Sequence, residues 1–259
     1  MKVLVVMGSP RKGNTYRAAE RIRELMESHG PVEFEYLWLR DANLLPCRGC
    51  AVCVGKGEEN SPNKDDAQAI VQRMREADGV ILASPVYSWS VTGQFKVFID
   101  RLSYIMHRPR FHEKNALILT TAMFTTKEVE DYLAKVAQFW GFEVAARAGL
   151  ITPPTIPARQ QEKNERILAK AAESFSLALH TGRRTSPGIR EVVMFHGARA
   201  LIDEQKDETP VDYRYWREQG WLEPGARYYV DVPVNPVYSA AGRGVEHLMR
   251  RQIRKGRAS

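Results

Sequence analysis

Five short runs of apolar residues alternate along the first two thirds of the chain with stretches in which apolar positions recur every three or four residues. The runs predict strands, because continuous apolar segments bounded by turn residues are typical of strands buried in parallel sheets. The stretches between them predict amphipathic helices. The predicted strands cover residues 3–7, 32–39, 79–84, 115–122 and 142–151, and the predicted helices cover about 15–29, from 65, 91–105, 129–140 and 159–180.

This alternation predicts an α/β fold, a five-stranded parallel sheet with helices on both faces, within residues 1–181. Asp65 and Asp66 are expected in the first turn of their helix, where the helix dipole favours acids. Residues 182–259 show little sustained periodicity and many Pro, Gly, Tyr and Trp residues, so we expect an extended C-terminal arm. The arm packs either on a partner subunit or back on its own domain, and its basic end, 250–257, is expected to be solvated or frayed.

The net charge and the lengths of the apolar runs limit the classes of ligand and the location to be expected. The 259 residues carry 38 Lys and Arg against 31 Asp and Glu, a net charge of +7 that suits anionic small molecules such as phosphorylated cofactors. Nucleic acid is a weaker interpretation, because the basic residues are scattered rather than striped. No apolar run approaches the roughly 20 residues of a membrane helix, and the first run is too short for a signal peptide, so a cytoplasmic location is expected.

The turn after the first strand, Gly-Ser-Pro-Arg-Lys-Gly-Asn-Thr at 8–15, has the composition of a phosphate cradle. Unsatisfied N–H groups at a helix start attract anions. Hydroxyl and amide groups, a guanidinium fork and a turn-permitting glycine add to this; the residues are Ser9, Arg11, Gly13, Asn14 and Thr15. The pattern excludes a P-loop and a Gly-x-Gly-x-x-Gly dinucleotide site. The alternative is an ordinary turn capped by Asn14 or Thr15.

The turn after the third strand carries aromatic rings at the matching position. In flavodoxin-type sheets, ligands lie beyond the carboxyl ends of the strands at the switch point. Rings here can line a flat heterocycle whose polar edge bonds to loop amides. The residues concerned are Pro85, Val86, Tyr87, Ser88 and Trp89. The alternative, that Tyr87 and Trp89 only cover the sheet end, is weaker because both loops occur together.

All three cysteines of the chain, Cys47, Cys50 and Cys53, lie within seven residues. An odd number in this context argues against a disulfide framework. The Cys-x-x-Cys-x-x-Cys spacing allows thiolates to wrap a metal cluster, and a zinc site with one further ligand is another interpretation. Three reduced thiols without a metal are the alternative.

Three segments carry a family resemblance: "GSPRKGNT", "ADGVILASPVYSWSVTGQFKVFIDR" and "DYRYWREQGW". Together they resemble the flavodoxin-like NAD(P)H-dependent FMN reductases, and the iron–sulfur flavoproteins in particular. The resemblance implies an FMN phosphate on Ser9, Arg11, Asn14 and Thr15. It also implies an isoalloxazine ring along residues 85–89 and a third contact near Thr121 and Ala122.

The implied activity is hydride transfer from NADH or NADPH, through FMN, to a flavin, a quinone or another acceptor in a homodimer or homotetramer. A flavodoxin-like or iron–sulfur electron-transfer carrier is the alternative. No catalytic triad or carboxylate pair stands out, as expected when the cofactor does the chemistry. The iron–sulfur branch carries a fourth cysteine where this chain has Ser61, which makes a four-iron cluster doubtful.

Overall fold

The computed structural model describes residues 1–28, 30–182 and 184–258, with the side chains of 257 and 258 left out. His29, the predicted end of the first helix, lies outside the described residues. The chain divides into two compact units: unit 1 contains residues 1–48 and 63–183, and unit 2 contains 49–62 and 184–259. Within the described chain, no helix combines the length and apolar character needed to cross a bilayer.

Unit 1 is built on a sheet of five parallel strands in the order β2-β1-β3-β4-β5. The strands are β1 Lys2–Met7, β2 Glu33–Trp38, β3 Gly79–Pro85, β4 Asn115–Ala122 and β5 Glu143–Ile151. The α-helices of the described residues are α1 Asn14–Glu27, α2 Val52–Gly55, α3 Ala67–Glu76, α4 Gly93–Arg101, α5 Lys127–Trp140, α6 Ala158–Thr181, α7 Ile189–Glu204, α8 Pro210–Glu218 and α9 Pro236–Ala258. The predicted α/β sheet is confirmed.

The three central strands explain the continuous apolar runs. Strands β3 and β4 are buried along their whole length, and β1 from its second residue onward. Alternate residues of β1, including Val3 and Val5, pack with Ile22 of α1 and Phe175 of α6 in one buried cluster. A strand between two helix layers has no solvent face, so apolar residues fill its middle, and the polar residues of β4, Asn115, Thr120 and Thr121, stand at its two ends.

Two helices differ from the prediction at their ends. Helix α4 ends at Arg101, and a 3₁₀ helix, Ser103–Met106, continues the apolar spacing. Helix α3 begins only at Ala67, so the expected position of Asp65 and Asp66 within its first turn is wrong, although Asp65 Oδ1 accepts from the first helical N–H, that of Ala67, at 3.3 Å. The buried carboxylate of Asp65 also accepts hydrogen bonds from Arg101 Nε at 2.8 Å and Nη2 at 2.9 Å. Burial alone would raise the pKa of Asp65, but the hydrogen bonds from Arg101 and from the N–H groups of Leu45 and Ala67 together leave the pKa below its usual value.

Unit 2 is helical, and the predicted arm contains α7, α8 and α9. Helix α7 carries buried polar residues, among them His196 and Arg199, beside its apolar ones, which obscured its periodicity. An aromatic cluster of Phe195, Trp216 and Trp221 forms its apolar core.

The basic end of the chain is also helical. Arg250 pairs with Asp203 and Glu246, and Arg254 pairs with Glu204. Of the two expectations for this end, fraying is wrong, because Asp203 and Glu204 on α7 hold these arginines, whereas solvation is confirmed, since the side chain of Arg254 is 68% exposed.

Candidate cofactor site

The carboxyl ends of β1, β3 and β4 meet at one edge of the sheet in unit 1. Strands β2 and β3 lie on opposite sides of β1, so the chain reverses direction across the sheet there, and the turns after β1 and β3 flank a switch point. This edge brings together the predicted residues of the first turn, those of the second turn, and Thr121 and Ala122 at the end of β4.

Gly8 joins the first turn to the second. Its N–H donates to Ala83 O at 2.8 Å, and its carbonyl accepts from Thr92 Oγ1 at 2.8 Å and from Gln94 Nε2 at 3.0 Å. A Cβ at Gly8 would lie 2.4 Å from Cδ2 of Phe95, closer than any packing allows. The contribution of Thr92 and Gln94 was missed by sequence reasoning, because their positions carry no local sign of a contact across strands.

Helix α1 begins without a side-chain cap. Its N-cap is Gly13, with φ of −96° and ψ of −150°, so neither Asn14 nor Thr15 caps it. The backbone there is extended, so the expected turn-permitting role of Gly13 is wrong; what it contributes is the absence of a competing side chain. The first-turn N–H groups therefore remain available to an external anion.

The side chains of the first turn divide into two groups. Ser9 and Thr15 are buried and shape the turn: Ser9 Oγ donates to Arg11 O at 2.7 Å, and Thr15 Oγ1 lies 2.7 Å from Thr121 Oγ1. Asn14 Nδ2 donates to Thr152 O at 3.4 Å. Arg11 is exposed, so it is the predicted phosphate contact whose charge stands open to a ligand.

A second basic residue, not predicted, braces the same turn. Arg40 donates from Nη1 to Pro10 O at 2.7 Å, and its guanidinium lies over the ring of Trp38 at 4.8 Å. The position of Arg40 just after β2 places it at the same sheet edge.

The second turn is tight and strained. Tyr87 and Ser90 exchange two backbone hydrogen bonds of 2.9 Å, and the residues between them, Ser88 and Trp89, have φ of 49° and 64°. Left-handed backbone at two successive non-glycine residues costs energy that glycine would avoid. Such strain concentrates at functional sites. The turn is anchored at its base, where Val86 N–H donates to Thr121 O at 2.8 Å.

Large apolar side chains stand exposed around this edge. Tyr87 is 42% exposed and Trp89 70%, while Met123 and Phe124, directly after β4, are 48% and 78% exposed. Thr121 and Ala122 themselves are buried. Exposed apolar groups gathered in neighbouring loops mark binding surfaces rather than ordinary surface.

The three cysteines are not arranged as a metal site. Cys47 in unit 1 and Cys50 in unit 2 are exposed, and Cys53 is half-buried. Among the described residues, no group of three or more His, Cys, Asp or Glu side chains is arranged to hold a metal ion. A four-iron cluster normally takes four thiolates, and the chain has three. The donor set does not fit such a cluster.

The profile of the family described as NADPH-dependent FMN reductase matches residues 1–152. The chain belongs to this family. An iron–sulfur flavoprotein of Archaeoglobus fulgidus is 30% identical over 227 residues, which cover 86% of this chain and all of that protein. An iron–sulfur flavoprotein of Methanocaldococcus jannaschii is 42% identical over 102 residues, 39% of this chain and 51% of that protein.

Solved structures agree on the fold. An oxidoreductase of Corynebacterium diphtheriae superposes with a TM-score of 0.52 at 17% identity, covering 69% of this chain and 96% of that one. The structure of RosB superposes with a TM-score of 0.51 at 16% identity, covering 91% of this chain and 92% of that one.

The residues at the sheet edge fit FMN, the cofactor of this reductase. The uncapped start of α1 and the exposed Arg11 supply donors for a phosphate. The hydrogen bonds and the close packing at Gly8 hold the two turns side by side at this edge. The protein is an FMN-dependent oxidoreductase.

Proposed function

We propose that this oxidoreductase takes hydride from NADPH or NADH and delivers the reducing equivalents to a flavin, a quinone or a comparable small acceptor. The observation that supports this most is the exposure of the aromatic turn at Tyr87 and Trp89. An open apolar rim beside the cofactor lets a flat nicotinamide bind and then gives the same place to an acceptor.

Each predicted site residue has a role in this proposal. Arg11 and the first-turn N–H groups of α1 hold the phosphate, with Ser9 and Thr15 fixing the turn around it. Residues 85–89 lie along the ring, and Thr121 anchors them through Val86. When bound, FMN accepts and returns the hydride. The protein holds the phosphate and the ring in place, so that a nicotinamide and then an acceptor meet the same part of the cofactor.

An electron-transfer carrier that reacts poorly with nicotinamides is the second candidate. The charge of the chain, +7, speaks against it, because soluble flavodoxin-type carriers present a large acidic surface to their partners. A nicotinamide with its phosphates is an anion, so a basic protein favours its approach.

Anaerobic stopped-flow spectroscopy tests the choice. FMN-loaded protein is mixed with excess NADPH or NADH, and the visible absorbance band of the oxidised flavin is followed. We expect rapid bleaching by at least one nicotinamide and recovery of the band on adding a quinone. A band that persists for minutes with both nicotinamides contradicts the proposal and favours the carrier.

We also propose that the chain works as a homodimer or homotetramer. Phe124, directly after β4, is large and 78% exposed, and a contact with a second copy would cover such a group. Analytical ultracentrifugation of the FMN-loaded protein measures the assembly directly. A monomer at micromolar concentration contradicts this part of the proposal and leaves the hydride transfer untouched.

A further inference from the structure

Unit 2 contains a cleft of about 470 Å³ that the FMN chemistry does not use. Its size lies within the range of small-molecule sites. Two helices and the segment between α8 and α9 contribute to it. The lining residues are His196 and Arg199 of α7, residues 224–227, and Arg243 and Glu246 of α9. The lining is mainly polar and charged, so a polar ligand suits it better than an apolar one.

A buried pair forms one side of the cleft. His196 is 2% exposed, and its Nδ1 lies 2.7 Å from Oε2 of Glu246. Burial would raise the pKa of Glu246, but the hydrogen bond from His196 and the charges of Arg250 and Arg199 lower it to about 2. Glu246 is therefore a carboxylate at neutral pH and accepts the proton of Nδ1. The ring fits only because Gly242 has no Cβ, which would lie 2.3 Å from His196 Cδ2.

Arg199 fixes the opposing wall. Its guanidinium donates to the carbonyls of Leu222, Glu223 and Ala226 at 3.2, 2.9 and 3.3 Å. The residue is only 8% exposed. Because three carbonyls of one loop converge on a single buried side chain, the segment 222–226 is held in place beside the cleft.

Two further arginines line the cleft and do not hold neighbouring backbone in this way. Arg227 and Arg243 are exposed, and within the described part of the chain neither has an ion pair or a side-chain hydrogen bond. The carboxylate of Glu246 does not pair with Arg227 or Arg243, because it pairs with His196 and Arg250. Three guanidinium groups therefore face one occupied carboxylate. The lining therefore carries a net positive charge, which concentrates anions, and guanidinium forks match phosphate oxygens.

We propose that this cleft binds a phosphate-bearing small molecule, with Arg227 and Arg243 contacting the phosphate oxygens and the His196–Glu246–Arg199 framework holding the walls. The site lies wholly within unit 2 and is separate from the FMN phosphate cradle of unit 1. The proposal does not rest on the proposed hydride transfer.

Isothermal titration calorimetry on the full FMN-saturated protein tests the site, because FMN already fills the other phosphate cradle. The probes are inorganic pyrophosphate, ADP as a nucleotide source of the same group, and malonate as a carboxylate dianion. The variant Arg227→Gln with Arg243→Gln removes both contacts, and Arg214→Gln with Arg217→Gln removes two exposed charges from α8 as the matched control.

We expect saturable pyrophosphate binding that weakens at least about tenfold in the cleft variant, the effect of losing charge-assisted hydrogen bonds, and stays within about twofold in the control. Tighter binding of ADP than of pyrophosphate identifies a nucleotide as the source, and equal binding identifies the phosphate alone; both support the site. Circular dichroism checks that the variant is folded, and Arg243→Lys alone, with an intermediate loss, replaces it if it is not. No saturable binding, equal losses in both variants, or malonate binding as tightly as pyrophosphate overturns the proposal.

Discussion

The sheet edge of unit 1 and the cleft of unit 2 are suited to anions by different means. At the edge, backbone N–H groups and exposed rings are presented by turns that hydrogen-bond to one another, with Arg11 as the one predicted contact that brings a charge. In the cleft, charged side chains from α7, from α9 and from the segment 224–227 supply the binding groups, and the buried His196–Glu246 pair links the two helices.

This difference predicts different sensitivities. A site made by backbone proximity fails when an added carbon forces strands apart, but it responds little to acid. A site made by charged side chains tolerates changes of volume better and depends on pH and on each charge. The experiments below test that contrast.

The broadest effect, on both stability and FMN binding, is expected from an added methyl group at Gly8. In Gly8→Ala the new Cβ would meet Phe95 at 2.4 Å and Ala83 O at 3.1 Å, so we expect about 1–3 kcal/mol of destabilisation from overpacking and a matching loss of FMN affinity. Urea unfolding and fluorescence titration with FMN measure the two.

Gly13→Ala is the matched control for Gly8→Ala. A Cβ at Gly13 meets only the Arg11 side chain at 3.7 Å, an ordinary contact. We expect less than about 1 kcal/mol, the cost of a poorer N-cap. Equal effects of the two substitutions would show that the close approach at Gly8 is not required for FMN binding at the sheet edge.

Acid should weaken the cleft through Glu246. A pKa lowered from 4.5 to about 2 stabilises the folded state above pH 4.5, and that stability is lost as the pH falls toward 2. We expect wild type to lose about 2–3 kcal/mol more than Glu246→Gln over this window. Urea unfolding of both proteins at a series of pH values isolates the difference.

Glu218→Gln, which changes an exposed carboxylate on α8, is the control for this acid experiment. Its pH profile should follow that of wild type. A Glu246→Gln profile parallel to wild type would mean that the His196–Glu246 pair does not hold the helices.

Arg11→Ala should weaken FMN binding by about 1.5–3 kcal/mol, the usual value of a charge-assisted hydrogen bond. Lys12→Ala removes the same charge from the same turn, where Lys12 lies over the ring of Tyr16 at 5.3 Å, and should cost much less. Fluorescence titration measures both. Unchanged affinity in Arg11→Ala would remove this residue from the phosphate site.

A smaller effect is expected at the buried hydroxyl pair of Thr15 and Thr121. Either single valine leaves one buried hydroxyl without its partner, which costs about 1–3 kcal/mol. The double valine should therefore be more stable than the sum of the two losses predicts, by about 1 kcal/mol. Additive losses in urea unfolding would show that the hydroxyls do not couple the two strand ends.

The smallest signal is expected from the cysteines, which belong to neither anion site. The protein as purified should show flavin absorbance with iron and sulfide well below one cluster per chain, because the chain supplies three thiols. Iron and sulfide assays after anaerobic purification check this. About four of each per chain would require a fourth, non-thiolate ligand.

The sheet and the location of the cofactor edge could be predicted from local sequence. Apolar runs such as 3–7 and 115–122 have no solvent face and so specify central strands, whose carboxyl ends place residues 8–15 and 84–91 side by side. Helix α7 could not be seen in the same way. Buried polar residues such as His196 and Arg199 interrupt the apolar stripe, and only their partners show why they are there.

By itself, the sequence determined the succession of strands and helices in unit 1, the family, and the two turns that meet at the cofactor. Tertiary structure alone decided which side chains face a ligand and which hold the turns, as at Arg11 and Thr15. It also decided that Asp65 pairs with Arg101, a partner 36 residues away that no local pattern indicates. The physical reason is range: periodicity and turn composition act between near neighbours, whereas burial and hydrogen-bond partners depend on residues far apart in the chain.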